Sequence, residues 1–155
     1  MKKWLFCLAC LGVVAALSSE GLAGRDVATL EPVQTVYLAA DGGAVILQTD
    51  TGAKGSGKNL DAALENLHQT TSSIVFLDTA EYLLVDPKLT HLITSMQHSL
   101  RPSCRICLVN GQPDVEQAGA FLKTHQPATT MKDYLAGKLV IPTLKMTGEA
   151  MQLVP

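Results

Sequence analysis

The stretch from Gly52 to Val85 constrains this chain more than any other, because a glycine-rich turn, an amphipathic helix and apolar strand-like runs follow one another there in quick succession. Two incompatible readings fit it. In the first, Gly52-x-x-x-x-Gly57-Lys58 follows a strand-like run, Ala44 to Gln48, and opens a helix, the context in which backbone amides cradle phosphates. Ile74-Val75-Phe76-Leu77-Asp78 then matches a strand whose terminal carboxylate holds magnesium. In the second, the same residues are a structural αβ unit. Asn59 stands where the phosphate loop uses a hydroxyl to ligate magnesium, and only about fifteen residues separate Lys58 from the Ile74 strand. The structural reading is the one carried forward: a polar, mobile connection over 49–58, then a helix capped by Asn59 with Leu60, Ala63, Leu64 and Leu67 on its apolar face. Asp61, Glu65 and Gln69 are expected to meet water.

The N-terminus adds a compartment. Met1-Lys2-Lys3 is a short basic region and Trp4 to Leu17 a continuous apolar run, the length of a secretion signal rather than of a membrane span. Small residues at Gly21-Leu22-Ala23 place cleavage before Gly24, with an uncleaved N-terminal anchor as the alternative. Either way the remainder, 24–155, is expected to be exported, where ATP is scarce. That remainder suits one domain. The chain's formal net charge is −2, and removing 1–23, with Lys2, Lys3 and Glu20, makes it slightly more acidic. With no basic cluster and few aromatics, nucleic acid is not an expected partner.

Element by element, Val33 to Ala40 and Ala44 to Gln48 read as a hairpin closed by Asp41-Gly42-Gly43. Ile74 to Leu77 and Tyr82 to Val85 are all-apolar strands, both expected to be buried on two faces. Asp86-Pro87 should start one helix whose stripe is Leu89, Leu92, Ile93, Met96 and Leu100. Arg105 to Val109 reads as a strand, Gln112-Pro113-Asp114 as the start of a helix to about Lys123, Thr130 to Ala136 as a short helix, and Val140 to Pro142 and Leu144 to Met151 as extended. The fold class is therefore α/β (α+β), one small domain with a mixed sheet flanked by helices.

Candidate chemistry is sparse. Cys104-Arg105-Ile106-Cys107 has the spacing of a redox dithiol, but lies at a strand rather than a helix N-terminus. There residues three apart point to opposite faces, so inert buried thiols are expected, with an exported thiol oxidoreductase as the alternative. Cys7 and Cys10 belong to the signal. His68, His91, His98 and His125 form no metal-ligand pattern, and Asp78 with Glu81 reads as a solvated turn between strands. No catalytic, cofactor-binding or metal-binding residue is assigned.

The run Gly55 to Leu67, then Ser72 to Leu77, then Tyr82 to Val85, resembles the first domain of the Ger(x)C spore germination proteins, the C subunits of germinant receptors. Those proteins carry a G-x-G-K turn leading into a helix, a short apolar strand after a serine-rich bend, and a second strand ending in Val or Ile. Leu22-Ala23-Gly24, followed by Arg25-Asp26, is similar to the family's lipoprotein signal, with Arg25 in place of the lipidated cysteine. Leu92 to Leu100, Arg105 to Gly111 and Leu139 to Met151 fit the family's later segments. The resemblance implies an exported, non-enzymatic accessory or interaction subunit at the extracytoplasmic face of a membrane, or secreted, without a cofactor. Its partners would be proteins, integral membrane germinant-receptor subunits in particular. The family continues into two further domains, which another chain would have to supply.

Overall fold

Of the two apolar runs expected to be buried on both faces, only Tyr82–Val85 is. In the computed structural model, which describes residues 30–138, 140–148 and 150–155, this strand (β6) lies at the centre of a seven-stranded mixed sheet. The expected signal over 1–23 and Arg25 lie outside the described residues. Across the sheet, β4 (Lys54–Gly57), β3 (Ala44–Thr49), β2 (Thr35–Asp41), β6, β7 (Arg105–Val109), β8 (Thr143–Thr147) and β9 (Ala150–Val154) follow in that order. The four middle strands β2, β6, β7 and β8 are parallel, and an antiparallel strand or pair continues the sheet at each side. The chain is a single small α/β domain.

The other run, Ile74–Phe76 (β5), does not enter this sheet. It pairs in parallel with β1 (Leu30–Pro32) in a separate two-stranded ribbon, and while Val75 is buried, Ile74 and Phe76 are 37% and 44% exposed. The reason is the turn that follows: a 3-10 segment, Leu77–Thr79, in which the Thr79 hydroxyl accepts from the Val33 amide at 3.0 Å and lies 2.9 Å from the Val33 carbonyl and 2.8 Å from that of Phe76. That clamp ends the strand before the chain reaches β6.

Side-chain alternation divides the core into two layers. Val36, Leu38, Leu83, Val85 and Ile106 face α1 (Leu60–Thr70), the segment between β6 and β7, and Met131 of α3 (Met131–Leu135). Tyr37, Tyr82, Leu84, Cys107 and Val109 face α2 (Val115–Thr124) through Val115, Ala118 and Leu122. The helix starts follow their caps: Asn59 accepts from Ala62, Asp114 from Gln117, and Thr130 with Asp133 makes a reciprocal capping box. Gly42 and Gly43, with φ of +55° and +86°, make the tight turn between β2 and β3.

The helix expected from Pro87 to Leu100 is instead two 3-10 segments, Pro87–Leu92 and Ser95–His98. Asp86 caps the first by accepting from the Lys88 amide at 2.9 Å, but Leu89 leaves helical geometry at φ −110°. Thr90, Ile93 and Thr94 are β-branched and lose side-chain freedom in a regular helix, and burial of Leu89, Ile93, Met96 and Leu100 holds the irregular path against the sheet.

Candidate functional site

The glycine-rich segment is not a loop. Lys54–Gly57 is β4, an edge strand paired with β3 in the register Gln48↔Lys54 to Val45↔Gly57, and α1 lies against it. Its outer edge is capped by that helix: the Ser56 amide donates to Asn66 Oδ1 at 2.9 Å, and the Thr70 hydroxyl donates to the Lys54 carbonyl at 3.1 Å. A Cβ on Gly57 would stand 2.5 Å from the Ala63 nitrogen, and one on Gly55 would stand 2.6 Å from the Leu67 nitrogen. The two glycines are therefore present so that helix and strand backbones can touch. Within β4 the Ser56 amide is taken by Asn66 and strand pairing turns those of Gly55 and Gly57 toward β3, whereas a phosphate cradle needs free amides aimed at one point; the mobile connection expected here is replaced by that pairing. Asp78 sits on the exposed 3-10 turn after β5, outside the main sheet.

The thiols are divided between the two core layers. Cys104 packs on the α1 side of the sheet and Cys107 on the α2 side, both fully buried and both free. Burial pushes each thiol up to about 12. A redox dithiol needs the opposite environment, with a lowered pKa and mutual access.

The remaining polar residues scatter. Glu81 pairs with Arg101 at 3.4 Å on the surface, whereas Asp78 lines a different cleft. His125 stacks on Phe121 with ring centroids 4.2 Å apart. Among the described residues no three His, Cys, Asp or Glu side chains converge in a way that could hold a metal ion.

Two surface features emerge that the sequence did not single out. The larger is a cleft of about 480 Å³ over the carboxyl ends of β2, β6 and β7, with Ile46 and Gln48 among its lining and Asp41, Asp86, Lys54 and Lys88 bringing both signs of charge. Ligands of open α/β sheets bind at this end. The Tyr37 hydroxyl there already donates to the Gly111 carbonyl at 2.6 Å; desolvation, then the Asp86 carboxylate, raises its pKa. Its lining holds no serine, threonine, cysteine or histidine; its polar groups are two carboxylates, two lysines, side-chain amides and the Tyr37 hydroxyl. Finding it requires knowing which strands lie side by side.

The second is the outward face of β5. Phe76 lines a shallower cleft of about 220 Å³ with Leu64, Leu77, His68 and His98. Leu64, expected with Leu60, Ala63 and Leu67 in the core, is only half-buried, because the helix presents that edge to this cleft. Two large apolar side chains exposed on one short strand, beside a groove, have the character of a contact surface. A scan against protein-family models gives no match, and no curated protein or solved structure is significantly similar to the chain.

Proposed function

We propose that this chain is an exported, non-enzymatic accessory domain that docks onto a protein partner, on the pattern of the germinant-receptor C subunits that its sequence resembles. The observation that carries the reading is the pair Ile74 and Phe76, held out of the core on the β1–β5 ribbon next to the Leu64 groove. Burying two such side chains against a partner supplies the apolar centre that interfaces use. The rival readings draw less support: the glycines of Gly52–Asn59 serve helix packing, and Cys104 and Cys107 lie in separate core layers.

A photo-cross-linking residue at position 76 of the full chain, in membranes of the producing cells, tests this. The expected product is an adduct with an integral membrane polypeptide that is missing when the cross-linker replaces Lys145, exposed on β8, three strands away from β2 in the sheet. Equal labelling from both positions, or calorimetric binding of magnesium ATP that disappears in Lys58→Ala, would overturn the proposal.

A further inference from the structure

The seven-stranded sheet has two edges, and they are treated differently. Two outward groups of β4, the Ser56 amide and the Lys54 carbonyl, bond to Asn66 and Thr70 of α1, which lies over that edge. At the other side, among the described residues nothing pairs with β9 beyond β8. Natural edge strands are usually blunted by charge, proline, a bulge or a cover, because unpaired N–H and C=O groups template another strand. Ala150-Met151-Gln152-Leu153-Val154 carries no charge and no proline before Pro155 ends it, has no cover among the described residues, and pairs with β8 in unbroken register from Thr143↔Val154 to Thr147↔Ala150.

The register also says which groups face outward. Thr147 and Ala150 pair with only positions 148 and 149 between them, so they close a two-residue hairpin as a hydrogen-bonded pair. Alternation then directs the backbone groups of Ala150, Gln152 and Val154 to β8, and those of Met151 and Leu153 away from it. On the side-chain side, Met151 and Leu153 stand opposite Met146 and Leu144, on the α2 face of the sheet. Met146, Met151 and Leu153 are half-buried there, leaving an apolar ledge that runs to the open edge.

We infer that β9 is a self-association strand, and that its occupant is β9 of a second copy of this chain, antiparallel, with the two-fold axis at Gln152. In that register Met151 of each copy meets Leu153 of the other. Both have their backbone groups outward, so each pair exchanges two hydrogen bonds, and the two apolar ledges join into one. Gln152 meets Gln152 on the opposite face. The nearest repeated charge is Lys145, which stands across β8–β9 from Gln152. Three strand spacings would separate it from its copy, about 14 Å, farther than the screening length of about 8 Å at physiological salt. An uncharged edge gives a charged partner segment nothing to select, whereas this strand complements itself. Because α1 caps β4, pairing through β9 closes at two copies instead of extending into a fibre. This inference goes beyond the docking surface at Phe76 and does not rest on it.

Charge reversal at the axis tests the register. Two differently tagged copies of the full chain, co-expressed, are expected to co-purify, with a light-scattering mass of two chains. Gln152→Lys in both copies, or Gln152→Glu in both, sets like charges directly opposite and is expected to reduce recovery of the pair at least about tenfold. One copy of each variant should restore it. Gln152 is exposed, so each variant should keep the parent's circular dichroism, while its melting temperature shifts slightly, down for Gln152→Lys and up for Gln152→Glu, because Lys145 lies across β8–β9 from position 152. A parent chain that stays monomeric at every concentration, or a pair that ignores the charge pattern at 152, overturns the inference; neither result touches cross-linking from position 76.

Discussion

Gly57 of β4 and Ala63 of α1 approach so closely that a methyl group on the glycine would lie 2.5 Å from the alanine's backbone nitrogen. Replacing a strand glycine with alanine ordinarily stabilises by about 0.5–1 kcal/mol. Here the sign should reverse, because the obstacle is helix backbone that cannot rotate away. Gly57→Ala and Gly55→Ala are each expected to cost about 1–3 kcal/mol, read from the midpoint of urea unfolding. Lys58→Ala, at an exposed position, should change stability by less than about 0.5 kcal/mol. Tolerant glycines would show that the contact between β4 and α1 is looser than described.

Thr35 and Gly119 form a second contact of this kind. The Thr35 hydroxyl is fully buried without a hydrogen-bond partner among the described residues, and it occupies the place where a Cβ at 119 would go. Gly119→Ala should therefore destabilise, although it removes a glycine from a helix at a gain of about 1 kcal/mol. In a Thr35→Ala background the same change should become favourable, and the coupling between the two should reach about 1 kcal/mol or more in a double-mutant cycle. Additive effects would mean that the two residues do not compete for the space.

The buried thiols set an alkaline limit. Cys104 and Cys107 keep their protons up to about 12 in the folded chain, against an ordinary value of 9.0. Between those values the folded state holds protons that the unfolded chain releases. Stability is then fully present below about pH 9 and falls as pH rises toward 12, by on the order of 1 kcal/mol per pH unit for each thiol. Unfolding at stepped pH should show the decline, and Cys107→Ala should lessen its slope. Rapid labelling of Cys104 or Cys107 by a disulfide reagent in the native protein at pH 8 would contradict their placement.

Helix α1 separates core from contact surface within one turn. Leu67 is fully buried whereas Leu64 is half-buried beside Phe76. Leu67→Ala is expected to cost about 2–5 kcal/mol, a large share of a small domain's stability. Leu64→Ala should cost clearly less and instead weaken the cross-link from position 76. Equal melting-temperature losses would put Leu64 in the core after all.

What the sequence determined by itself is local. Asp41-Gly42-Gly43 makes the hairpin turn because only those few backbone angles are involved; Asn59, Asp114 and Thr130 start helices because each side chain bonds an amide two or three residues away. The alternation of Tyr82 to Val85 and the opposed placement of Cys104 and Cys107 follow from the two-residue period of a strand. The tertiary structure decided everything that depends on a distant partner. Gly55 and Gly57 read as a loop until β3 pairs with them and α1 lies on them. Ile74-Val75-Phe76 is as apolar as Tyr82-Leu83-Leu84-Val85, yet Thr79 clamps the first to Val33 and leaves it outside the sheet. The carboxyl-end cleft, the exposed Phe76 and the open edge of β9 are products of strand order, which non-local pairing settles and which local propensity does not encode.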